Sequence, residues 1–369
     1  MVRDGDGVTR RAWLGAVAAG GVALSAASEA ASTPRPTAPA RLSLNENPFG
    51  PSPLARRAIL EQLDQADRYV GAEARALEEQ IAAVEGVSAD QIILGEILDA
   101  LGLQLALDGG PGGEFLYSAP GYTALVDAVA PGGGVVVGVP LNDRLENDLP
   151  AIAADITART RAIYLVNPHN PSGTVSETAA FKAFLRVAAA QTTVIVDEAY
   201  LEFEPDFADR TAAALTRAGA NVIVFRTFAK IYGLAGLSIG YAVAPKPLAA
   251  SLKNKGLGAP HALNRLALAA AAASLRDTGY IPAVRAKVIA ERQAWNTLLD
   301  GLGVRRSDSR GNFVFFEAGR PYETFAAALL AEGIEIARPF PPLDRWVRIA
   351  IGLPDENARA RAAVRRLLG

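Results

Sequence analysis

Three short polar clusters carry the residue types that amine chemistry needs. Asn167-Pro168-His169-Asn170-Pro171-Ser172-Gly173-Thr174 follows an apolar run ending at Val166. Asp197-Glu198-Ala199-Tyr200 closes a run from Thr193, and Arg226-Thr227-Phe228-Ala229-Lys230 follows a run from Val222. Lys230 lies amid Phe228, Ala229, Ile231, Tyr232 and Leu234. Apolar surroundings depress a lysine pKa toward the neutral amine, which attacks an aldehyde to form an imine. Asp197 emerges from a buried run, where a carboxylate needs a partner. A ring nitrogen that takes a proton is such a partner, and the protonated ring becomes an electron sink. Asn170 and Tyr200 can donate hydrogen bonds to an oxygen on that ring, and Tyr122 in Pro120-Gly121-Tyr122 can stack on its face. Singly these residues say little. A lysine in such a run is usually a snorkelling surface residue, an aspartate at a strand end is usually a cap, and Asn-Pro or Pro-Ser-Gly is ordinary turn chemistry. The combination, in this order, is far more specific.

The elements that must position these clusters follow from periodicity. Apolar residues recur at helical spacing from Pro53 to Gln65, Glu73 to Val84 and Leu98 to Leu107. Gly109-Gly110-Pro111-Gly112-Gly113 breaks the last of these. Strands are expected at Ile92–Leu94, Phe115–Tyr117, Val135–Val137, Ala162–Val166, Thr193–Val196, Val222–Phe225 and Ile239–Val243, with helices at Ala151–Ala158 and Thr178–Ala190. Such alternation argues for an α/β chain whose large domain is a mainly parallel sheet flanked by helices. In an open parallel sheet ligands bind beyond the carboxyl ends of the strands, so the three clusters should meet at one edge. After about Gly258 the pattern changes to long helices, His261–Ser274 and Ile281–Leu302, then strands Phe313–Phe316 and Trp346–Ile351 and a terminal helix from Glu356. This reads as a smaller α+β domain that also recruits the segment before Val87.

Composition narrows the function classes. The 369 residues contain no cysteine and two histidines, His169 and His261. Disulfides, cysteine-based zinc sites and thiol nucleophiles are excluded, and a histidine-based metal site or serine-hydrolase triad has little to draw on; no metal is expected. A net charge of −2 gives no global field for nucleic acid or anionic membrane. At the N-terminus, Thr9-Arg10-Arg11-Ala12-Trp13-Leu14 precedes an uncharged Ala/Gly/Val-rich run to Ser28. Paired arginines before a mildly apolar stretch resemble a twin-arginine export signal, with small residues around Ser28-Glu29-Ala30 as a cleavage site. The run is shorter than the roughly 20 residues of a spanning helix, so no stable membrane insertion is expected after processing. The expected destination is periplasmic or extracellular, with a cytoplasmic chain bearing a plain N-terminal tail as the alternative.

In these residues the chain resembles the fold-type I pyridoxal-phosphate aminotransferases, and among them the histidinol-phosphate aminotransferases. The matching stretches are Leu44-Asn45-Glu46-Asn47-Pro48-Phe49-Gly50, Arg68-Tyr69, the Asn167–Thr174 run, Asp197–Tyr200, Arg226–Gly240, Asn312-Phe313 and Arg348-Ile349-Ala350-Ile351-Gly352. The resemblance implies pyridoxal 5'-phosphate as cofactor, and amino acid and 2-oxo acid as substrates. It implies that Lys230 is the Schiff-base lysine and shuttles the α-proton, that Asp197 pairs with the pyridine nitrogen, and that Asn170 and Tyr200 bind the ring oxygen. Tyr122 would stack, Tyr69 would reach the cofactor phosphate of the other subunit in a homodimer with shared active sites, and Arg348 would grip the substrate carboxylate. Asn45 and the Asn47-Pro48 turn would form a flap over the substrate. The expected layout is a signal over 1–31, a linker over 32–40, a flap and helices of the small domain over 41–86, the cofactor-binding large domain over 87–258 and the C-terminal small domain over 259–369.

The phosphate cup departs from that pattern. Relatives place an arginine where this chain has Ser238, many carry serine where it has Ala229, and Gly95-Glu96-Ile97-Leu98-Asp99-Ala100 replaces a Gly/Ser-rich turn. Leu98 supplies no hydroxyl, so the cup is left with backbone N–H groups of the helix it opens, Thr227, Tyr69 and Asp99, with Glu96 as an awkward neighbour. Losing a hydrogen bond to a charged group costs roughly 1.5–3 kcal/mol, so weaker cofactor binding, by about one to two orders of magnitude, is expected. The alternatives to transamination are another reaction of the same imine, decarboxylation or racemisation, and an exported binding protein without chemistry. Histidine biosynthesis fits an exported enzyme poorly, because its intermediates stay in the cytoplasm.

Overall fold

The apolar runs between Ile92 and Val243 assemble into one seven-stranded sheet in a computed structural model, which describes residues 39–369. In chain order the strands are β1 (Ala40–Leu42), β2 (Ile92–Leu94), β3 (Glu114–Ala119), β4 (Val135–Pro140), β5 (Thr160–Val166), β6 (Thr193–Asp197), β7 (Val222–Thr227), β8 (Gly240–Val243), β9 (Phe313–Glu317), β10 (Ile334–Ile336) and β11 (Trp346–Ala350). The large sheet has the order β2-β8-β7-β6-β5-β3-β4. β8 alone runs against its neighbours; the rest point one way, as the helix-linked apolar runs predict. The α/β class with a mainly parallel, helix-covered sheet is therefore observed.

Each strand of the sheet's centre alternates its side chains between two cores. Val194 and Val196 of β6, and Val222 and Val224 of β7, pack into the larger core, while Ile195, Ile223 and Phe225 pack into the smaller one. β5 obeys the same rule, with Ile163 and Leu165 on one side and Ala162, Tyr164 and Val166 on the other. Register sets the strand ends level, Val166 opposite Asp197 and Asp197 opposite Phe225. β7 is longer than its apolar run: Arg226 and Thr227 pair with Tyr241 and Gly240 of β8, so these two polar residues belong to the strand.

Outside the large sheet, β9 and β11 pair antiparallel and β1 and β10 pair parallel, three residues to a strand in the second case. Through β1, the segment before the first large-sheet strand joins the C-terminal part of the chain. The Pro53–Glu61 helix starts on a Ser52 cap, whose hydroxyl accepts from Ala55 N at 3.1 Å. It packs against the Arg265–Arg276 helix. Of the expected linker only Pro39 and Ala40 are described, and Ala40 opens β1; the expected signal over 1–31 lies outside the described residues. Among the described residues no helix is long and apolar enough to cross a membrane.

Candidate active site

A cavity of about 740 Å³ opens where β5, β6 and β7 end, and residues from all three polar clusters line it. Asp197, the last residue of β6, is 2% exposed. Its carboxylate accepts from Tyr164 Oη at 2.8 Å and from Ala199 N at 2.9 Å. Burial pushes its pKa up to about 6, against the pull of those two donors and of Lys230. A carboxylate held this dry, with hydrogen bonds but no fixed cation against it, suits a ring nitrogen that carries a proton.

Lys230 stands in the loop after β7, half-buried at the cavity wall. Its Nζ lies 5.7 Å from the centroid of the Tyr200 ring and 3.4 Å from the Leu44 carbonyl. The loop is held by Gly233, whose φ of +73° and close approach to the flap admit no side chain: a Cβ there would sit 2.2 Å from Gly50 O. Asn47 completes the clasp by donating to Ile231 O at 2.8 Å. The Asn47-Pro48 turn thus fixes the lysine loop, and Asn45, two residues earlier, faces the cavity.

One polar network joins the remaining ring-side residues. Tyr200 Oη accepts from Asn45 Nδ2 at 3.2 Å and from Asn170 Nδ2 at 3.4 Å. Arg348, on β11, donates to Asn170 Oδ1 and, at 2.9 Å, to Ser43 O. It is 7% exposed, lies 5.4 and 5.2 Å from the Phe313 and Phe340 ring centroids, and has no acidic partner among the described residues. Burial lowers its pKa to about 10. Arg348 Nε and Asn45 Oδ1 are buried without any partner. A buried cation with a spare donor, beside a spare acceptor, is the receptor for an anion that also carries an N–H or O–H group.

Glu96, Leu98, Thr227 and Ser238 also line the cavity wall. The helix Leu98–Gly109 begins here without a side-chain cap, which leaves its first N–H groups open to an anion. Thr227 Oγ1 donates to Glu96 Oε1 and accepts from Ala229 N. Tyr122 borders the same cavity, and burial, with Asp197 nearby, raises its phenol pKa to about 12.

The structure therefore gathers Lys230, Asp197, Tyr200, Asn170, Tyr122, Thr227, Leu98, Arg348 and Asn45 around one cavity. Two expected residues stand apart from it. Asp99 is exposed in the first turn of its helix, and Tyr69 is 92% exposed. Sequence reasoning missed Tyr164, which looked like core, and Arg338, an exposed arginine of the cavity wall near Phe340. Among the described residues no cluster of acids and histidines could hold a metal. Pyridoxal phosphate matches the donor set. Its ring nitrogen would suit the Asp197 carboxylate, its aldehyde the Lys230 amine, its ring oxygen the Tyr200 hydroxyl and its phosphate the open helix start, all of which line this one cavity.

Comparison with known proteins agrees. The family model for aminotransferase class I and II matches residues 39–365. A histidinol-phosphate aminotransferase of Anaeromyxobacter sp. is 38% identical over 342 residues, which span 89% of this chain and 91% of that one. The corresponding enzyme of Limosilactobacillus fermentum is 33% identical over 330 residues, 88% of this chain and 90% of that one. The crystal structure of histidinol-phosphate aminotransferase from Sinorhizobium meliloti in complex with pyridoxal-5'-phosphate superposes with a TM-score of 0.80 at 30% identity, covering 90% of this chain and 91% of that chain.

Proposed function

This chain belongs to the class I and II aminotransferases, and from that premise we propose how its own residues divide the work and which substrates they select. It is a pyridoxal-phosphate-dependent transaminase of the histidinol-phosphate aminotransferase type, moving an amino group between an amino acid and a 2-oxo acid. The cofactor supplies an aldehyde that captures amines and a ring that stores the electron pair left when a C–H bond breaks. Asp197 would keep a proton at the ring nitrogen, and its dry setting suits such an ion pair. Tyr164 and Ala199 N orient the carboxylate. Tyr200, itself held by Asn45 and Asn170, would donate to the ring oxygen, and Tyr122 would cover the ring face. Lys230 would bond the aldehyde carbon and, as a free amine, would carry the proton taken from the substrate α-carbon.

Arg348 selects the substrate, and its burial without an acidic partner carries this part of the proposal. An amino compound with a carboxylate or phosphate supplies the missing charge, and the exposed Arg338 widens the same anion site toward a second acidic group. The test is a spectral screen of the cofactor-loaded protein against neutral and anionic amines, including histidinol and histidinol phosphate. Anionic amines are expected to bleach the absorbance of the lysine-bound cofactor. Equal bleaching by neutral and anionic amines would refute the assignment of Arg348.

Two further parts rest on other observations. Tyr69 is almost fully exposed and does not line the active-site cavity of its own chain, which supports a homodimer in which it reaches the partner's cofactor. Mixing inactive Lys230→Ala with inactive Tyr69→Phe chains should then restore activity in hybrids, and a strictly additive mixture argues for independent sites. The paired Arg10-Arg11 ahead of the Ala-rich run supports export of the folded, cofactor-loaded chain. A fusion of residues 1–31 to a reporter should leave the cytoplasm, and should stop doing so when both arginines become lysine.

A further inference from the structure

On the cavity wall at the start of the Leu98–Gly109 helix the chain offers a carboxyl group. Glu96 sits just ahead of that helix, and its Oε1 accepts the Thr227 hydroxyl. Thr227 is 4% exposed and is the last residue of β7. Ser238, with φ of +47°, closes the same wall without a charge. Gly240 lets the carboxyl lie close to the sheet, since a Cβ there would stand 3.2 Å from Glu96 Oε1. The charged and titratable groups acting on Glu96 are Lys230 from the loop after β7, Asp197 from β6, Asp99 in the first turn of the helix that follows and Tyr122 from the loop after β3. Lys230 favours its ionised form and the two aspartates oppose it.

We propose that Glu96 makes the phosphate cup proton-gated: the cup closes on the cofactor's phosphate only when one proton is shared between the Glu96 carboxyl and the phosphate oxygens. Two anions brought to hydrogen-bond distance beside an uncapped helix start repel each other, and the helix alone offsets only part of that. A protonated carboxyl reverses the sign, because it donates to phosphate where the carboxylate can only accept. Glu96 is an exposed residue, but desolvation of its carboxyl against the cavity wall shifts its pKa above the ordinary value, with Thr227 pulling the other way. Phosphate would raise it further, so binding takes up one proton and affinity falls as pH rises.

This inference rests on the phosphate lying at the Leu98–Gly109 helix start, and the experiment separates the two claims. Dissociation constants of pyridoxal phosphate and of unphosphorylated pyridoxal are measured on the cofactor-stripped chain by the absorbance of the lysine-bound aldehyde. Their ratio cancels the pH dependence of imine formation. In the wild type, pyridoxal phosphate should lose its advantage over pyridoxal as pH rises, by at most about tenfold per pH unit for the one proton taken up. In Glu96→Gln the ratio should be flat, with pyridoxal phosphate favoured over pyridoxal at least about tenfold more than in the wild type at pH 8, and retained pyridoxal binding shows that the variant is folded. Parallel ratios in wild type and Glu96→Gln overturn the gate. Ser238→Arg tests the seating: a gain for pyridoxal phosphate over pyridoxal places the phosphate here. No gain removes the seating itself and the gate with it.

Discussion

Two arginines are buried to nearly the same depth in this chain, Arg226 at 4% and Arg348 at 7% exposure, and their surroundings are opposite. Arg226 contacts Glu198 at 3.0 Å and Glu85 at 3.2 Å, and donates to Thr211 at 2.9 Å. Glu85 in turn accepts from Tyr241 Oη at 2.7 Å, and Glu198 from Ala212 N at 2.6 Å. Burial opposes the charge of Arg226, but Tyr241, Glu198, Glu85 and Glu202 overcome it and hold its pKa well above the ordinary value. Arg348 has the same burial and no acid to repay it, so its pKa falls. The first guanidinium is finished by the fold. The second is finished by a ligand, and the difference between them separates a structural ion network from a binding site within one molecule.

The largest effect should come from breaking the completed network. Arg226→Leu strands Glu198 and Glu85 in the core, and urea unfolding should show a loss of roughly 3–5 kcal/mol. Wild-type stability in this variant would mean the network is ornamental and the contrast empty. Arg348→Met should do the reverse. The fall of the Arg348 pKa from its ordinary value to about 10 corresponds to about 3 kcal/mol of unfavourable burial. Its hydrogen bonds to Ser43 O and Asn170, made by a charged donor, contribute about 1.5–3 kcal/mol each. Removing both sides of that balance should cost no more than about 3 kcal/mol. Meanwhile kcat/KM for an anionic amino donor should drop by roughly 10²–10³-fold, the cost of deleting one partner of a buried charge pair. If Arg348→Met unfolds as readily as Arg226→Leu, the two arginines are of one kind.

The same contrast explains what the sequence made legible. Asp197, Lys230, Tyr200 and Asn170 were readable because strand ends in a parallel sheet announce themselves, with an apolar run halting at polar residues. What the pattern hid was direction. Asp197 and Glu198 look equivalent in sequence, as do Arg226 and Thr227, yet neighbours along an extended chain face opposite ways. Asp197 and Thr227 turn to the cavity; Glu198 and Arg226 turn to each other on the far side. Tyr164 escaped notice because one hydroxyl inside an apolar strand reads as core until Asp197 is seen 2.8 Å away. Arg338 follows a strand of three residues, too short to show a period. The Glu96–Thr227 contact joins residues 131 apart in sequence, which no local rule brings together.

Asp197 gives the smallest and most discriminating check, because it is the cavity-side counterpart of Glu198. Both are buried carboxylates with raised pKa values, burial being the main cause in each. Glu198 has Arg226 fixed against it, whereas Asp197 has hydrogen bonds and the distant Lys230. Its pKa is raised from the ordinary 3.8 to about 6 in the folded chain, so the folded protein binds the proton more tightly than the unfolded one. The corresponding stability is fully present below about pH 4 and is lost as pH rises through about 6. A shift of about two units is worth roughly 3 kcal/mol. Asp197→Asn, which stays neutral throughout, supplies the reference. In the cofactor-stripped protein, the unfolding free energy of wild type minus that of Asp197→Asn should fall by roughly 3 kcal/mol between about pH 4 and pH 7. Adding pyridoxal phosphate should shrink that fall, since a protonated ring nitrogen gives the carboxylate the cation that the chain itself withholds. Parallel stability curves for the two proteins would mean that Asp197 is as well compensated as Glu198, and the site would lose the unmet charge that makes it a receptor.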